Sequence, residues 1–393
     1  MTATLKGAWN YPTRVLAGPG RIAELADACA TAGIKRPLFV TDKGLAQTDI
    51  TARAMAVLKT AGLNPGFYAD VRSNPVEANL DDGLAVYKAG HHDGVVAFGG
   101  GSALDIAKLI AFMSGQTRPV WDYEDVGDWW TRADPAGIAP VVAVPTTAGT
   151  GSEVGRAAVI TNAASQEKKI IFHPKMLPVV VISDPELTVG LPPHITAWTG
   201  IDAFTHCFEA YSAPGFHPIA DGIAVEGMRL IKEYLPRAVA RGDDIEARAN
   251  MLAAASMGAA AFQKGLGATH SIAHPLGVLY DTHHGLANAV ILPYVMVFNR
   301  PAIEDRMPHL ARALNLKEAT FDAVLAYVLD LRKALGVPHS LAEIKVPADR
   351  AAEIGVMAEH DPSTGSNPRV AKAADMERIF RAAQLGNLAA AAG

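Results

Sequence analysis

Short apolar runs alternate with amphipathic stretches along the first half of the chain. The continuous apolar runs predict buried β-strands at 38–41, 66–69, 94–98 and 141–144. Between them, apolar residues recur three and four positions apart, which predicts helices at about 46–61, 76–89 and 103–113. Less regular segments predict further strands at 157–161, 169–172 and 179–183. Buried strands separated by helices are typical of a parallel sheet that helices cover on both faces.

The pattern changes after Pro185, and from Ile195 onward almost every segment has helical periodicity. The segment 321–335, for example, repeats the helical pattern and ends at a Gly-Val-Pro sequence, which terminates helices. We therefore predict two domains. An α/β domain with a parallel sheet occupies residues 1–185, and an all-helical domain occupies residues 186–393.

Composition narrows the class of protein. The chain has 393 residues, enough for two domains, and its 50% hydrophobic and 19% charged residues are typical of a soluble globular protein. The net charge of -5 is not accompanied by a basic stripe, so we expect no nucleic-acid partner. Cys29 and Cys207 are too few for a disulfide framework, which indicates a reducing cytoplasm. We find no secretory signal and no run of about 20 apolar residues, and we expect no membrane association.

Candidate metal ligands are concentrated in the helical half. Asp202 and His206 are four residues apart in TGIDAFTHCFEAY, and this spacing puts both side chains on one helix face. His270 and His274 repeat the spacing in GLGATHSIAHPLG, and a predicted loop, DTHHG, adds two adjacent histidines. One carboxylate with several imidazoles suits a borderline divalent ion such as Zn²⁺ or Fe²⁺.

The same residues also have an ordinary structural interpretation. A single Asp-x-x-x-His pair on a helix is usually an incidental surface pair, and only the repetition of histidines favours a metal site. Cys207 points about 100° away from His206 around the helix, so we interpret it as a buried apolar side chain. His194 precedes the helix of Asp202, and we expect it to lie outside the site.

A glycine-rich segment follows the strand predicted at 94–98. Gly99, Gly100, Gly101 and Ser102 come directly before a predicted helix. Glycines let backbone N–H groups approach a pyrophosphate, and a helix N-terminus favours an anion. The segment matches neither GxGxxG nor the P-loop pattern, so a plain turn is the alternative interpretation.

Four motifs together resemble the iron-containing (group III) alcohol dehydrogenase family, and the resemblance covers essentially the whole chain. GGGSALDIAK at 99–108 is similar to the family's GGGSxxDxAK, and PTTAGTGSE at 145–153 is similar to its TTAGT segment. GIDAFTHCFEAY and GLGATHSIAHPLG…HHGLANAVILP are similar to its two metal-site signatures. The resemblance implies a dinucleotide-binding α/β domain followed by an all-α metal-binding domain, the architecture of dehydroquinate synthase.

The resemblance also implies which residues form the sites. It implies one divalent ion, Fe²⁺ or Zn²⁺, with four ligands, namely Asp202, His206, His270 and His284. His274 matches a further histidine near the nicotinamide and the substrate, and we expect it to relay protons. Orienting a ligand or packing is the alternative role of His274. The residues expected at the NAD cofactor are Asp42, Asn74, Gly99, Gly100, Gly101, Ser102, Thr146, Thr147 and Lys168.

Asp42 bears on the choice of cofactor. It matches the acid that holds the adenosine ribose in the family, and a carboxylate there would repel the 2′-phosphate of NADP. We therefore predict a preference for NAD. The alternative is that Asp42 only caps the helix that begins near Gly44.

Two positions depart from the family pattern. Gly155 stands where the family often has a hydroxyl residue near the cofactor, so one side-chain contact is missing or replaced. Thr282 and His283 precede His284, where the family commonly has a proline. His283 either competes for the metal or faces solvent, and we expect it to face solvent.

Together these features predict an NAD-dependent enzyme that interconverts a small alcohol or diol and its aldehyde or ketone. A divalent metal would lower the pKa of the alcohol, and the nicotinamide would accept the hydride. From the resemblance we expect a homodimer or a larger assembly. One alternative is a metal- and NAD-dependent lyase of the dehydroquinate synthase type, although the cluster of basic residues that it needs is missing near the metal motifs. The other is a catalytically inactive nucleotide-binding protein, against which the complete ligand set argues.

Overall fold

The computed structural model describes Tyr11 and residues 13–393. The chain divides into two compact units, Tyr11–Gly190 and Leu191–Gly393. Buried hydrophobic residues are found throughout both units, so each has its own core.

The first unit is built on a parallel sheet. Its strands, in chain order, are β1 (Arg14–Ala17), β2 (Pro37–Val40), β3 (Gly66–Tyr68), β4 (Gly94–Gly99), β5 (Val141–Pro145), β6 (Ala157–Asn162), β7 (Glu167–Phe172) and β8 (Val180–Ser183). Among the described residues, six strands form one sheet in the order β1-β8-β5-β4-β2-β3, with every neighbouring pair parallel. The helices of this unit are α1 (Leu25–Thr31), α2 (Asp49–Thr60), α3 (Glu77–Ala89) and α4 (Gly101–Met113).

The parallel sheet predicted from the apolar runs is confirmed. β2, β4, β5 and β8 are buried at every position, as a sheet covered on both faces requires. Phe39 and Phe98 from this sheet pack into one core cluster with Leu25 of α1 and Leu58 of α2. β1 was not predicted from the sequence. It is an edge strand with mostly exposed residues, and its apolar run is only three residues long, Val15 to Ala17.

The strands predicted at 157–161 and 169–172 lie outside the parallel sheet. They correspond to β6 and β7, which form an antiparallel pair of their own. An isolated parallel bridge between Val76 and Thr161 connects this pair to the segment that precedes α3. The pair therefore lies beside that segment and is separate from the parallel sheet.

The strand order reverses beside β2. From β2 the chain first adds β3 on one side and then crosses over to add β4 on the other side. The connections that leave the carboxyl ends of β2 and β4 therefore turn away from each other. Open α/β sheets bind their ligands at such a switch point. Here it lies at the carboxyl ends of β2 and β4, directly before Thr41 and Gly100.

The second unit is helical, as predicted. Its α-helices are α5 (Pro193–Ser212), α6 (Pro218–Ala240), α7 (Ile245–Ala261), α8 (Ala268–Tyr280), α9 (His284–Ile303), α10 (Met307–Ala313), α11 (Phe321–Ala334), α12 (Ala351–His360) and α13 (Ala373–Leu385). α5 packs against α6, α7 and α9, and α8 packs against α9 and α12. α5, α8 and α9 thereby share one interior region of the unit.

One helical stretch in the described part of the chain is long and apolar enough to cross a membrane. It is His284–Ala313, which contains α9, and its most apolar window has a mean hydropathy of 1.3. Sequence analysis did not single it out, because prolines and polar residues interrupt its apolar run. Since 78% of that window is buried inside the protein, the stretch is a core helix of its unit.

Candidate metal centre and nucleotide-binding loop

Four side chains from three helices converge in the helical unit. α5 supplies Asp202 and His206, α8 supplies His270, and α9 begins with His284. One donor atom from each lies within 4.8 Å of the other three. From Asp202 Oδ1 the distances to the Nε2 atoms of His206, His270 and His284 are 4.0, 3.9 and 3.7 Å. The structure thus brings together the four residues that the sequence motifs singled out.

This donor set fits a divalent cation. Ligands at about 2.1 Å from a tetrahedral ion lie about 3.4 Å from one another. The distances from Asp202 Oδ1 to the three histidines, 3.7 to 4.0 Å, are slightly wider, and all four donors lie within 4.8 Å of one another. Asp202, His206 and His270 are buried. The side chain of His284, in contrast, is 25% exposed. The site is therefore enclosed on three sides and accessible beside His284, as a catalytic site that admits a substrate requires.

Glycines let α7 and α9 approach the ligand-bearing helix α5 closely. A Cβ atom at Gly285 would lie 2.6 Å from the backbone oxygen of Trp198. A Cβ at Gly258 would lie 3.0 Å from the Cβ of His206. The small side chains at these two positions therefore allow α9 and α7 to pack against α5 beside the donors.

Two buried polar residues that sequence analysis missed surround the donors. The Nδ2 atom of Asn288 lies 2.7 Å from Asp202 Oδ1, 3.2 Å from His270 Nε2 and 3.1 Å from His284 Nε2. Glu209 lies behind His270, with Oε2 2.7 Å from His270 Nδ1. The available signal was periodicity, because Asn288 follows His284 by four residues and Glu209 follows Asp202 by seven.

Burial and hydrogen bonding shift the pKa values of Glu209 and His270 in opposite directions. Burial alone would raise the pKa of the Glu209 carboxyl, but hydrogen bonds from His270 and Thr269 outweigh it, and the pKa is lowered. Burial alone would lower the pKa of the His270 imidazole, but the adjacent carboxylate of Glu209 outweighs it, and the pKa is raised. Each group thus compensates for the desolvation of the other.

His274 is adjacent to the four donors but is not one of them. Its ring stacks on that of His284, with centroids 5.4 Å apart, and its Nδ1 lies 2.7 Å from Asp361 Oδ2. Burial would raise the pKa of Asp361, but the charge and hydrogen bond of His274 outweigh it and lower the pKa. Asp361, which sequence analysis also missed, therefore orients the His274 ring.

The other candidate residues of the helical unit lie outside the donor cluster. His283 is half-buried, and its side chain accepts a hydrogen bond from Leu286 N at the start of α9. It therefore caps the start of α9, and it is not among the four clustered donors. His194 is exposed and packs against Trp198. Cys207 is fully buried, and burial raises the pKa of its thiol to about 12, which agrees with an inert apolar role.

The glycine-rich segment of the first unit joins β4 to α4 at the switch point. Gly99 has a φ of 146°, a conformation that side chains rarely permit, and a Cβ there would lie 2.8 Å from the Cβ of Ala103. A Cβ on Gly101 would lie 2.4 Å from the Thr150 side chain. The segment thus needs glycine for its shape, and it places backbone N–H groups at the N-terminus of α4.

Three predicted cofactor residues lie around this segment. The backbone N–H of Thr146 donates to Gly99 O at 3.0 Å. The Thr147 side chain would lie 3.4 Å from a Cβ on Gly100. Asp42, which follows β2, lies across the switch point, with Oδ2 3.4 Å from the position of a Cβ on Gly99. The Asp42 Oδ1 atom also accepts a hydrogen bond from Leu45 N at 3.0 Å, so the carboxylate does cap the next turn.

Hydrogen bonds and strand pairing connect the segments that carry the remaining predicted cofactor residues, Ser102, Asn74 and Lys168. The hydroxyl of Ser102 donates to Ser73 O at 2.6 Å, next to Asn74. In the same turn Pro75 O accepts from the N–H of Thr161 at 2.8 Å. Thr161 lies opposite Lys168 in the β6–β7 pair. The Ser102 hydroxyl is therefore used within the protein, which leaves its backbone N–H as the group available to a phosphate.

The polar residues of GGGSALDIAK hold the neighbouring segment in place. The fully buried Lys108 donates to Ser152 O and Ala157 O, and the Ser152 hydroxyl donates to Asp105 Oδ1 at 2.5 Å. Burial lowers the pKa of Lys108, and Asp105 partly counters that effect. A Cβ at Gly155 would lie 3.5 Å from Ser152 O and 3.8 Å from Lys108 Nζ, so Gly155 is directly beside this network.

Comparison with known proteins gives the same result for both halves of the chain. Residues 12–185 match the iron-containing alcohol dehydrogenase family, and residues 196–384 match the C-terminal region of the Fe-containing alcohol dehydrogenase family. The chain is 39% identical over 383 residues to 4-hydroxybutyrate dehydrogenase of Cupriavidus necator, covering 94% of this chain and 98% of that protein. It is 36% identical over 377 residues to NAD-dependent methanol dehydrogenase of Bacillus methanolicus, covering 94% and 98%.

A solved structure of a 1,3-propanediol oxidoreductase has the same fold. It superposes with a TM-score of 0.91 at 35% sequence identity, over 96% of this chain and all of that one. The predicted fold class, an α/β unit with a parallel sheet followed by a helical unit, is thereby confirmed. Because the N-terminal and C-terminal parts of the family both match this chain, and in that order, the chain belongs to the iron-containing alcohol dehydrogenase family.

Proposed function

We propose that this protein is an NAD-dependent and divalent-metal-dependent dehydrogenase of small primary alcohols, including diols or hydroxy acids. The observation that carries the proposal is the convergence of Asp202, His206, His270 and His284 to within 4.8 Å. The similar proteins are named for 4-hydroxybutyrate, methanol and 1,3-propanediol, each of which has a primary hydroxyl group. The reaction is alcohol plus NAD⁺ giving aldehyde, NADH and a proton.

In the helical unit, the chain would bind the metal and move the proton. Asp202 and the three histidines would hold a divalent cation, which when bound acts as a Lewis acid toward the alcohol oxygen. The exposed side of His284 would admit the substrate. In its neutral form, with the Nδ1 hydrogen bonded to Asp361, His274 would carry its lone pair on Nε2, where it would accept the hydroxyl proton.

In the first unit, the chain would bind and orient the cofactor that accepts the hydride. The backbone N–H groups of Gly101 and Ser102, at the start of α4, would bind the pyrophosphate. Asp42, across the switch point, would accept hydrogen bonds from the ribose hydroxyls. Asn74, Thr146, Thr147 and Lys168 would line the rest of the nucleotide site.

The lyase alternative receives no support from the residues around the metal site. A phosphorylated and carboxylated substrate needs basic side chains nearby. The charged residues that hydrogen-bond to His270 and His274 are carboxylates instead, Glu209 and Asp361. We therefore do not propose lyase activity.

The test is oxidation of a panel of alcohols by the purified protein, followed by NADH absorbance. The panel comprises short primary alcohols, diols and ω-hydroxy acids, each with NAD⁺ and with NADP⁺, and the metal content of the same sample is measured. We expect NADH formation from at least one short primary alcohol, and its loss after chelation and return on adding Fe²⁺ or Zn²⁺. Undiminished activity in metal-free protein, or no activity with any alcohol in metal-loaded protein, would contradict the proposal.

Three broader expectations belong to the same proposal. The buried, unpaired Cys29 and Cys207 agree with a cytoplasmic enzyme. We also propose a homodimer or larger assembly, which light scattering of the purified protein would test. A domain boundary near residue 185 is tested by limited proteolysis, which should cleave first in the more exposed segment 190–194, where the two units divide, because residues 181–185 are buried.

A further inference from the structure

Glu209 is a buried acid directly behind the metal site. It lies on α5, the helix that carries Asp202 and His206, and it is 4% exposed. It is not one of the four clustered donors, because its carboxylate contacts the Nδ1 side of His270 and the donors include the other ring nitrogen. Glu209 therefore acts on a candidate ligand and does not itself contact the cation position.

The Glu209 carboxylate accepts three hydrogen bonds from one short segment. Oε2 lies 2.7 Å from His270 Nδ1 and 3.0 Å from Gly267 N, and Oε1 lies 2.8 Å from Thr269 N. Two of these partners are backbone N–H groups, which can only donate. Both carboxylate oxygens are thus acceptors, and the hydrogen between Glu209 and His270 belongs to Nδ1 of the imidazole.

This arrangement fixes the tautomer of His270. With its hydrogen on Nδ1, a neutral imidazole carries the lone pair on Nε2, the atom that lies 3.9 Å from Asp202 Oδ1. A lone pair on Nε2 also allows a hydrogen bond from the Asn288 amide, whose Nδ2 lies 3.2 Å away and has two hydrogens for the three acceptors around it. Gly267 and Thr269 are the N-cap and the second residue of α8, so Glu209 also holds the helix start that carries His270.

We propose that Glu209 is a positioning residue that locks His270 in the tautomer and orientation required to bind the divalent cation. The role rests on the proposed function, since it requires that a cation binds at Asp202 and the three histidines. A carboxylate behind a metal-ligating histidine makes the ring more basic and fixes its direction, and removal of such a partner typically weakens metal binding about 10- to 100-fold.

The main test compares metal affinity in Glu209→Gln and wild-type protein. Glutamine keeps the size of the side chain but loses the charge and one of the two oxygen acceptors. We expect the Kd for Zn²⁺, measured by competition with a chromophoric chelator, to rise about 10- to 100-fold. Glu226→Gln, on α6 and in a surface ion pair with Arg229, is the matched control, and its Zn²⁺ affinity should equal that of wild type.

A double-mutant cycle separates positioning from simple helix capping. If Glu209 acts through His270, Glu209→Gln should change Zn²⁺ affinity by less than about twofold in a His270→Ala background, since coupled residues are not additive. A purely structural role would lower the melting temperature and leave the wild-type Kd for Zn²⁺ unchanged, and that result would overturn the proposal.

A measurement on the unmutated side chains covers the case in which Glu209→Gln does not fold. Nitrogen-15 NMR of histidine-labelled, metal-free protein reports which ring nitrogen carries the hydrogen, with His270→Ala used to assign the signal. We expect the Nδ1–H tautomer at His270, and an Nε2–H tautomer would overturn the proposal. If the wild-type protein binds no divalent cation, the proposed function fails together with this role. If it does bind and Glu209→Gln binds equally well, only the positioning role fails.

Discussion

The candidate metal centre and the nucleotide-binding loop are built in opposite ways. The metal centre depends on side chains, since Asp202, His206, His270 and His284 supply its donor atoms and buried carboxylates orient the neighbouring rings. The loop depends on the absence of side chains, since Gly99 and Gly101 have no room for a Cβ. Truncating a side chain should therefore disable the first site, and adding a single carbon should disable the second.

The largest expected effect is loss of a metal ligand. His270→Ala and His284→Ala should each reduce bound metal and reduce alcohol oxidation by more than about 100-fold, because even an outer partner of a ligand is typically worth 10- to 100-fold. Metal analysis and kcat/KM test this prediction. His194→Ala is the control, because His194 is an exposed histidine outside the donor cluster, and it should keep both metal and activity. Full activity and metal content in both ligand variants would contradict the assignment.

A smaller effect is expected for His274, which is adjacent to the donors without being one of them. His274→Ala should retain its metal and lose about 10²-fold in kcat, the usual contribution of a general acid or base. Metal stoichiometry and kcat, measured on the same preparation, separate the two properties. A variant that loses its metal would make His274 a ligand.

Adding a methyl group tests the loop. Gly99→Ala forces alanine into a φ of 146° and against Ala103, at a cost of about 1–3 kcal/mol. We expect weaker NAD⁺ binding by calorimetry and a lower melting temperature, with metal content unchanged. Gly190→Ala, in the same unit, is the control, because a Cβ there would meet no atom within 4 Å. Equal NAD⁺ affinity in Gly99→Ala and wild type would leave the loop as a plain turn.

The smallest effect concerns cofactor choice at Asp42, whose side chain lies across the switch point from the glycine loop. Like charges about 4 Å apart cost about 1 kcal/mol in water and more at lower dielectric. Asp42→Gly should therefore shift the ratio of kcat/KM for NAD⁺ and NADP⁺ toward NADP⁺ by roughly fivefold or more.

Asp42→Asn separates the charge of this residue from its capping role. It keeps an oxygen that can accept from Leu45 N and removes the charge. A shift toward NADP⁺ in both variants assigns the preference to the charge. An unchanged ratio in both, with a lower melting temperature only in Asp42→Gly, would reduce Asp42 to a cap.

The sequence predicted the ligand set more completely than its surroundings. The Asp202 and His206 spacing indicated a metal site, since an i, i+4 pair shares a helix face, and the family resemblance selected His270 and His284 as the remaining ligands that the fold brings together. Glu209, Asn288 and Asp361 were missed, because each acts on a ligand or on His274 through a contact between different helices. Periodicity places Asn288 and Glu209 on the same helix faces as ligands, but no local spacing reports which residue of another helix they contact.

The sequence by itself determined the positions of most strands, the change from α/β to helical structure, and the glycine segment before α4. These features are local, since each depends on residues that are close together in the chain. The tertiary structure decided the strand order, the separation of β6 and β7 from the parallel sheet, and the placement of Asp42 across from Gly99 at the switch point. It also decided that His283 caps α9 while His284 joins the donors. The physical reason is that pairing between strands and packing between helices depend on the whole set of buried surfaces, which no single segment of the chain encodes.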